Sequence, residues 1–577
     1  MSRTRPSDLV HLLAVAVLGV ALLAVPASAQ SSSVAFEDAD LRYDVVYSAE
    51  LNGHFAGATA VRSAPTALDV APDGRVFFTE INGAVRALDP DSGDVATLGV
   101  LFTNGDQCRG CPEPAIGEGG IHGFALAPDF ADTGHLYISY AVANSSCDVP
   151  DNIAGSLTTA GESNAGCYHL SRFTVGNDVL GNEVLDTSSE DVILTWPFSR
   201  FPRVVNGQPV GTVNTGHAFR TSAHHGGGIE VLPDGSIAVT VGDHTDPEAS
   251  GGYGPRDSRP EFWWQNAERT AQNPADRRGK LLRVMPDGSV PVDNPFVGQV
   301  GEYAFGEGTV EYDPFILAMG MRNPYRLAAD PVTGTVYSGQ VGPDARVADP
   351  QRGPAGVEEL NVVGRTACAD GTDPCPYEPF NGGYPRCIGP NRPYIDYDYT
   401  TGASTGVPLS CDGFDEPDLW YPLVTEPSDQ WPQLQVGSGS TILPAEVYRS
   451  DAPDALVDLQ GDLLLFDWSR GWLATIPVEA DGQLDVATDA VDVIATGFSG
   501  PIDAAVAPDG SVYVLEYGTY GSVRTQMGRI ACASCTPASV TDHVPLPETA
   551  AASLTPWVVV AALGLSLFGL RRGRDVI

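Results

Sequence analysis

The chain is 577 residues long, beyond what a single hydrophobic core usually serves, so it divides into domains or repeats a small unit. Its 73 acidic and 32 basic residues leave a formal charge of −41, a surface that repels phosphate backbones and argues against a nucleic-acid partner. The only lysine is Lys280, which with the acid excess fits either a high-GC or salt-adapted genome or a merely well-solvated surface.

The first element is an export signal. Arg3 and Arg5 precede an apolar run from Leu9 to Val25, and Ala27-Ser28-Ala29 gives a small-x-small cleavage pattern, so residues 1–29 read as a signal peptide. In an exported chain the ten cysteines point to disulfides, and their clustering suggests neighbours: Cys108 with Cys111, Cys147 with Cys167, Cys368 with Cys375, Cys387 with Cys411, Cys532 with Cys535. Structural zinc at the two CxxC pairs is the weaker alternative, and no CxxCH is present to hold haem covalently.

From about residue 40 to 537 one turn recurs between β-branched and aromatic alternations. It appears as Ala71–Gly74, Ala127–Phe130, Leu232–Gly235, Met285–Gly288, Asp330–Gly334 and Ala507–Gly510. Its spacing suits four-stranded radial blades, roughly six of them, each blade interface forming its own apolar layer. The expected fold is therefore all-β, a six-bladed β-propeller with disulfide-pinned loop insertions; two stacked β-sandwiches are the structural alternative.

Within this series, residues Ala223 to Asp243 place His224, His225 and three glycines directly ahead of a β-hairpin. An imidazole at a strand mouth, with side-chain-free neighbours that admit a flat ligand, suits proton transfer; an imidazole satisfied in a loop is the plainer alternative. Residues 365–440 break the rhythm and read as an inserted loop region over one face.

Residues 538–553 form a spacer containing LPETA (Leu546 to Ala550), and 554–577 combine an apolar run with Arg571, Arg572 and Arg574. Some 15 apolar residues rise only about 22 Å as a helix, short for a bilayer unless Leu554 and Thr555 join. The tail resembles a sortase sorting signal with Ala550 in place of the usual Gly; a plain membrane anchor is the alternative. Both put the protein outside the cytoplasm, held to membrane or cell wall.

Several segments taken together resemble the PQQ-dependent glucose/sorbosone (aldose sugar) dehydrogenase family. They are EGGIHGFALAPDF (118–130), the histidine hairpin, RRGKLLRVMPDGSVPVDNPF (277–296), MGMRNPYRLAADPVTG (319–334), VGPD (341–344), VEELN (357–361), NGGYP (381–385), DWSRGW (467–472) and GPIDAAVAPDGSVYVLEYG (500–518). The likeness covers roughly residues 60 to 530 and implies a six-bladed propeller.

The resemblance also implies roles. His224 falls where the family has its general base, with His225 a neighbour open to confusion. Glu118, Arg322 and Asn323 fall on cofactor contacts, and Arg470 can fill a basic place beside the cofactor carboxylates. Gly342 and Pro343 match carbonyl ligands of the cofactor's Ca²⁺, and Glu359 matches a ligand of a structural calcium. Gly500 and Ile502 depart from the pattern, standing where arginine is common or occasional, and Ala223 and Gly228 replace Asp and Arg of some members. The implied function is oxidation of a sugar or polyol hydroxyl by hydride transfer to Ca²⁺-bound PQQ, with electrons passing to an acceptor the sequence does not name. The alternative is a propeller that keeps the fold and serves as a non-catalytic binding module.

Overall fold

The Pro-Asp-Gly turns are built alike. In the turns at Asp73, Asp234, Asp287 and Asp509 the aspartate Oδ1 accepts the backbone N–H two residues on, at 2.9–3.1 Å. The following glycines, Gly74, Gly235, Gly288 and Gly510, take φ of 79–87°, where a side chain would be strained. A short polar cap and a left-handed glycine thus return the chain on itself, and the flanking alternation makes the two strands of a hairpin.

The computed structural model describes residues 34–50, 64–102, 119–143, 164–201, 203–205, 208–210, 220–221, 223–245, 249–259, 262, 265–302, 309–365, 375–424, 430–435, 437, 439, 441–518 and 524–533. Its main strands form six antiparallel blades. Blade 1 holds Pro65–Val70, Val76–Glu80, Ala84–Leu88 and Val95–Val100. Blade 2 holds Ile121–Leu126, His135–Ala143, Asn164–Asn177 and Glu183–Phe201. Blade 3 holds Ile229–Val231, Ile237–Val241, Lys280–Val284 and Ile316–Met319; blade 4 holds Asn323–Ala329, Val336–Val341, Val357–Val363 and Leu419–Pro422. Blade 5 holds Ile442–Val447, Asp462–Asp467, Trp472–Pro477 and Asp492–Thr496, and blade 6 holds Pro501–Val506, Val512–Glu516 and Arg524–Cys532. The ring closes because Leu41–Glu50 adds the outer strand of blade 6, pairing with Arg524–Cys532.

Six apolar layers lie between successive blades: Phe77 with Phe124, Tyr168 with Val239, Leu281 with Leu327, Leu360 with Leu465, Phe466 with Val514, and Leu515 with Phe78 mark them in order. Each such side chain contributes about 1.5–3 kcal/mol by leaving water, which is how a long chain is stabilised without one large core.

Two sequence expectations need amendment. The turn at Asp287 follows the third strand of blade 3 instead of joining an inner strand to its neighbour, and blade 5 uses a different connection, so the turn period only approximates the blade period. The 365–440 region is more than loop: it supplies Leu419–Pro422 to blade 4 and Phe380–Asn381, which pairs in parallel with the outer strand of blade 3. Cys387 and Cys411 are bonded, as expected, with Cα atoms 5.9 Å apart. Cys167, Cys375 and Cys532 are also disulfide-bonded; Cys108, Cys111, Cys147, Cys368 and Cys535 lie outside the described residues. So do the signal peptide and the LPETA tail, and no helix among the described residues is long and apolar enough to cross a membrane.

Around the axis the inner strands line a channel of about 210 Å³ into which Asp69, Glu230, Glu446 and Asp503 project. Arg326 bridges its wall, donating to the carbonyls of Ile502, His122 and Thr66.

Candidate active site

In an antiparallel blade the start of the inner strand and the end of the second strand meet at one rim. In blade 3 that rim carries His224–Gly228, leading into the inner strand, and Gly242-Asp243, leaving the second strand. In blade 4 it carries Arg322, directly ahead of the inner strand, and Gly342-Pro343, directly after the second. Residues far apart in sequence therefore gather where two neighbouring blades end.

His224 is 3% exposed and adopts φ 60°, a left-handed conformation that costs an ordinary residue roughly 1–3 kcal/mol. It is held there by close packing, since a Cβ on Gly242 would come within 1.9 Å of the His224 carbonyl oxygen. Its Nδ1 lies 2.6 Å from Asp243 Oδ1. Asp243 is fully buried and also accepts from the Thr245 N–H at 3.0 Å and from Thr245 Oγ1 at 2.6 Å. Burial alone would raise this carboxyl, but His224 and the Thr245 donors outweigh it and hold Asp243 below the usual carboxylate range. An ionised acceptor assigns the ring proton to Nδ1 and leaves Nε2 as the nitrogen that takes a proton.

The same aspartate joins the next blade. Its N–H donates to the Arg322 carbonyl at 2.7 Å, the Arg322 N–H donates to Gln340 Oε1 at 2.9 Å, and Asn323 Oδ1 accepts the Gly226 N–H at 3.1 Å. The Arg322 guanidinium donates to Val341 O at 3.1 Å and to Asp344 Oδ2 at 2.9 Å. Burial works against its charge, but Asp344, Tyr384, Asp243 and Glu358 outweigh it and hold the group cationic. Asp344 itself is 49% exposed, so an anionic group arriving from solvent can share or replace it on Arg322.

The expected residues fall into three groups. His224, Arg322 and Asn323 converge as described. Glu118 lies outside the described residues. Arg470 does not join the convergence: its side chain is fully buried and donates to the carbonyls of Leu434, Pro422 and Gly439, beside Asp467. It is turned into the interface of blades 4 and 5, toward carbonyls of its own chain. His225 is likewise separated from His224, its Nδ1 lying 2.5 Å from Tyr168 Oη. The departures at Gly500 and Ile502 have structural causes. Gly500 takes φ 65° and a Cβ there would lie 2.7 Å from Trp468 Nε1, while Ile502 packs between blades 6 and 1.

Gly342, Pro343 and Glu359, the positions expected to hold calcium, are all buried. Glu359 is buried and spends its carboxylate on the Gln340 amide and the Gly389 N–H. A Cβ on Gly356 would lie 1.6 Å from the Pro343 carbonyl oxygen, so that oxygen faces protein. Among the described residues no group of three or more His, Cys, Asp or Glu side chains is placed to hold a metal; the ligands expected at Gly342 and Pro343 are backbone carbonyls, a kind of oxygen that calcium accepts. The donor set does suit a quinone bearing carboxylates, through one fixed guanidinium, one amide and one imidazole at a single rim.

Asp243 was not anticipated from the sequence, although a signal existed. A carboxylate at the far end of the hairpin stands on the same rim as the histidine at its start.

The chain is similar to several known proteins. The family model described as Glucose / Sorbosone dehydrogenase matches residues 62–168 and 210–365. Quinoprotein glucose dehydrogenase B of Acinetobacter calcoaceticus is 25% identical over 300 residues, 52% of this chain and 48% of that protein. Aldose sugar dehydrogenase YliI of Escherichia coli is 24% identical over 300 residues, 52% of this chain and 56% of that one. The chain thus spans about half the length of these curated relatives. Among solved structures, the PQQ-bound aldose sugar dehydrogenase of Streptomyces coelicolor is 17% identical with a TM-score of 0.46, over 85% of this chain and 99% of that one.

Proposed function

Across the matched residues the chain belongs to the glucose/sorbosone dehydrogenase family, and from that premise we propose that it oxidises a sugar or polyol hydroxyl with PQQ as cofactor. The observation that carries the reading is the 2.6 Å contact of His224 with an ionised, buried Asp243 whose own N–H binds Arg322. PQQ, when bound, supplies a two-electron quinone that accepts hydride. Arg322 and Asn323 would hold it, the guanidinium meeting a carboxylate or the quinone oxygen. His224 Nε2 takes the proton of the substrate hydroxyl while Asp243 stabilises the imidazolium that forms. The left-handed backbone at His224 and the Gly242 contact keep that ring fixed before substrate arrives.

Calcium in this reading rests on the resemblance at Gly342 and Pro343. Export rests on residues 1–29 and surface attachment on residues 546–577; release by a cell-wall hydrolase separates sortase attachment from a membrane anchor. The electron acceptor stays outside the proposal. A non-catalytic binding module is the second reading, favoured by Arg470 being buried and Gly500 admitting no side chain, so that neither position offers a cation to a polycarboxylate.

The test is spectroscopic. Apo protein is mixed with PQQ, with and without Ca²⁺, and then with aldoses and polyols. Bound quinone whose oxidised band bleaches on adding a sugar supports the enzyme; no uptake of PQQ under either condition hands the case to the binding module.

A further inference from the structure

Lys280 is the only lysine of the chain and it is wholly buried. It opens the middle strand of three, on the end rung of both ladders. Val241 is its partner on one side and Met319 on the other, two residues before Asp243 and three before Arg322. Its Nζ donates to the carbonyls of Thr270 at 2.7 Å, Ala271 at 3.0 Å and Arg278 at 2.8 Å. Three acceptors around one nitrogen require three N–H groups, hence an ammonium; a neutral amine would turn a lone pair on one of them.

Those carbonyls belong to the loop between residues 270 and 279, and the loop is stitched to both arms of the site. Gly279 N–H donates to Gly242 O at 2.9 Å, Met321 N–H to Gly279 O at 3.2 Å and Gly320 N–H to Ala271 O at 3.1 Å. Gly242 leads into Asp243 and Met321 into Arg322.

We infer that Lys280 is a positioning residue, an ammonium clamp that sets the spacing between the His224–Asp243 pair and Arg322. The inference deepens the proposed function and takes its catalytic meaning from it. The charged groups facing the ammonium are Asp276 and Arg278 from the loop, Asp243 from the second strand's end, and Asp313 ahead of the outer strand. Burial lowers this lysine against the pull of Asp276, to about 7. The clamp therefore weakens on the alkaline side of neutrality, when the third N–H is lost.

A lone lysine permits a direct test. Protein labelled with ¹³C at lysine gives one lysine Cε signal, and the proton between His224 and Asp243 gives a far-downfield resonance; both are followed through pH 5–10. The clamp requires the downfield resonance to shift with the same midpoint as the lysine carbon. It also requires a folded Lys280→Met variant to show that resonance displaced or lost. A downfield resonance that ignores the lysine titration overturns the clamp, as does one unchanged in Lys280→Met. Should Lys280→Met fail to fold, the wild-type titration alone decides. These signals need neither cofactor nor sugar, so a protein that never oxidises a sugar can still carry the clamp. An active protein with uncoupled signals loses the clamp and keeps the enzyme. Under both readings together, Lys280→Met lowers kcat at least tenfold with KM little changed.

Discussion

Asp243 donates its backbone N–H to the carbonyl of Arg322 at 2.7 Å while its side chain holds His224, so one residue fixes both the base and the cation of the site. The Asp243→Asn substitution keeps the volume and replaces an acceptor-only group by one that also donates. The imidazole is then free to take the other tautomer. Sugar-dependent reduction of the bound cofactor is expected to slow by about 10²- to 10⁴-fold, the usual worth of a positioned base, with PQQ affinity changed little. Single-turnover absorbance and a PQQ titration on the same variant check both halves.

Arg322 and Arg470 should separate cleanly. Arg322→Met removes the guanidinium that a ligand can reach by displacing Asp344, and PQQ affinity is expected to fall roughly 10- to 100-fold, the scale of a charged hydrogen bond. Arg470→Met strands the carbonyls of Leu434, Pro422 and Gly439, and the expected loss is stability, a few kcal/mol at about 1–3 kcal/mol per buried unsatisfied group, with affinity unchanged. Cofactor titration and denaturant unfolding of both variants measure the contrast.

The axial channel sets a pH dependence. Burial pushes Asp69 up to about 6 and Glu446 up to about 8. A carboxyl raised in the folded state binds more protons there than in the unfolded chain. Its contribution is fully present below its ordinary value near 4 and is lost as pH rises through the folded value. The melting temperature is expected to fall as pH rises from 5 to 8. Glu446→Gln should flatten the upper part of that fall. Calorimetry across the range gives the slope for both proteins.

The Cys387–Cys411 bond closes a sequence separation of 24 in the region that supplies strands to blades 3 and 4. Removing it as Cys387→Ser with Cys411→Ser is expected to cost about 3.5 kcal/mol, the loop-closure term for that separation, read as a lower denaturant midpoint.

The sequence made the blades legible because their turns repeat a chemistry, a capping aspartate and a left-handed glycine, that needs no tertiary context. It made His224, Arg322 and Asn323 legible through local motifs, and their convergence followed once each was placed at a blade rim. Asp243 escaped although the hairpin register could have shown it. Extending the Ile229–Val239 pairing by five residues brings His224 opposite His244, next to Asp243. The surroundings of Arg470 were not legible, because its motif says nothing about which carbonyls lie behind it. A backbone oxygen's direction likewise depends on the strand it packs against, as the closeness of the Pro343 carbonyl to Gly356 shows, and no local motif encodes it. The strands supplied by residues 380–381 and 419–422 were missed because short segments in a Gly- and Pro-rich stretch carry no periodicity of their own.

The most direct measurement is stopped-flow bleaching of the oxidised quinone in PQQ-loaded protein on mixing with an aldose, in the wild type and in His224→Ala. The account expects rapid bleaching in the wild type and a loss of at least 10²-fold in His224→Ala, with the two proteins binding PQQ alike. Equal bleaching rates in the two, or a wild type that holds PQQ and reduces it with no aldose or polyol, would contradict it.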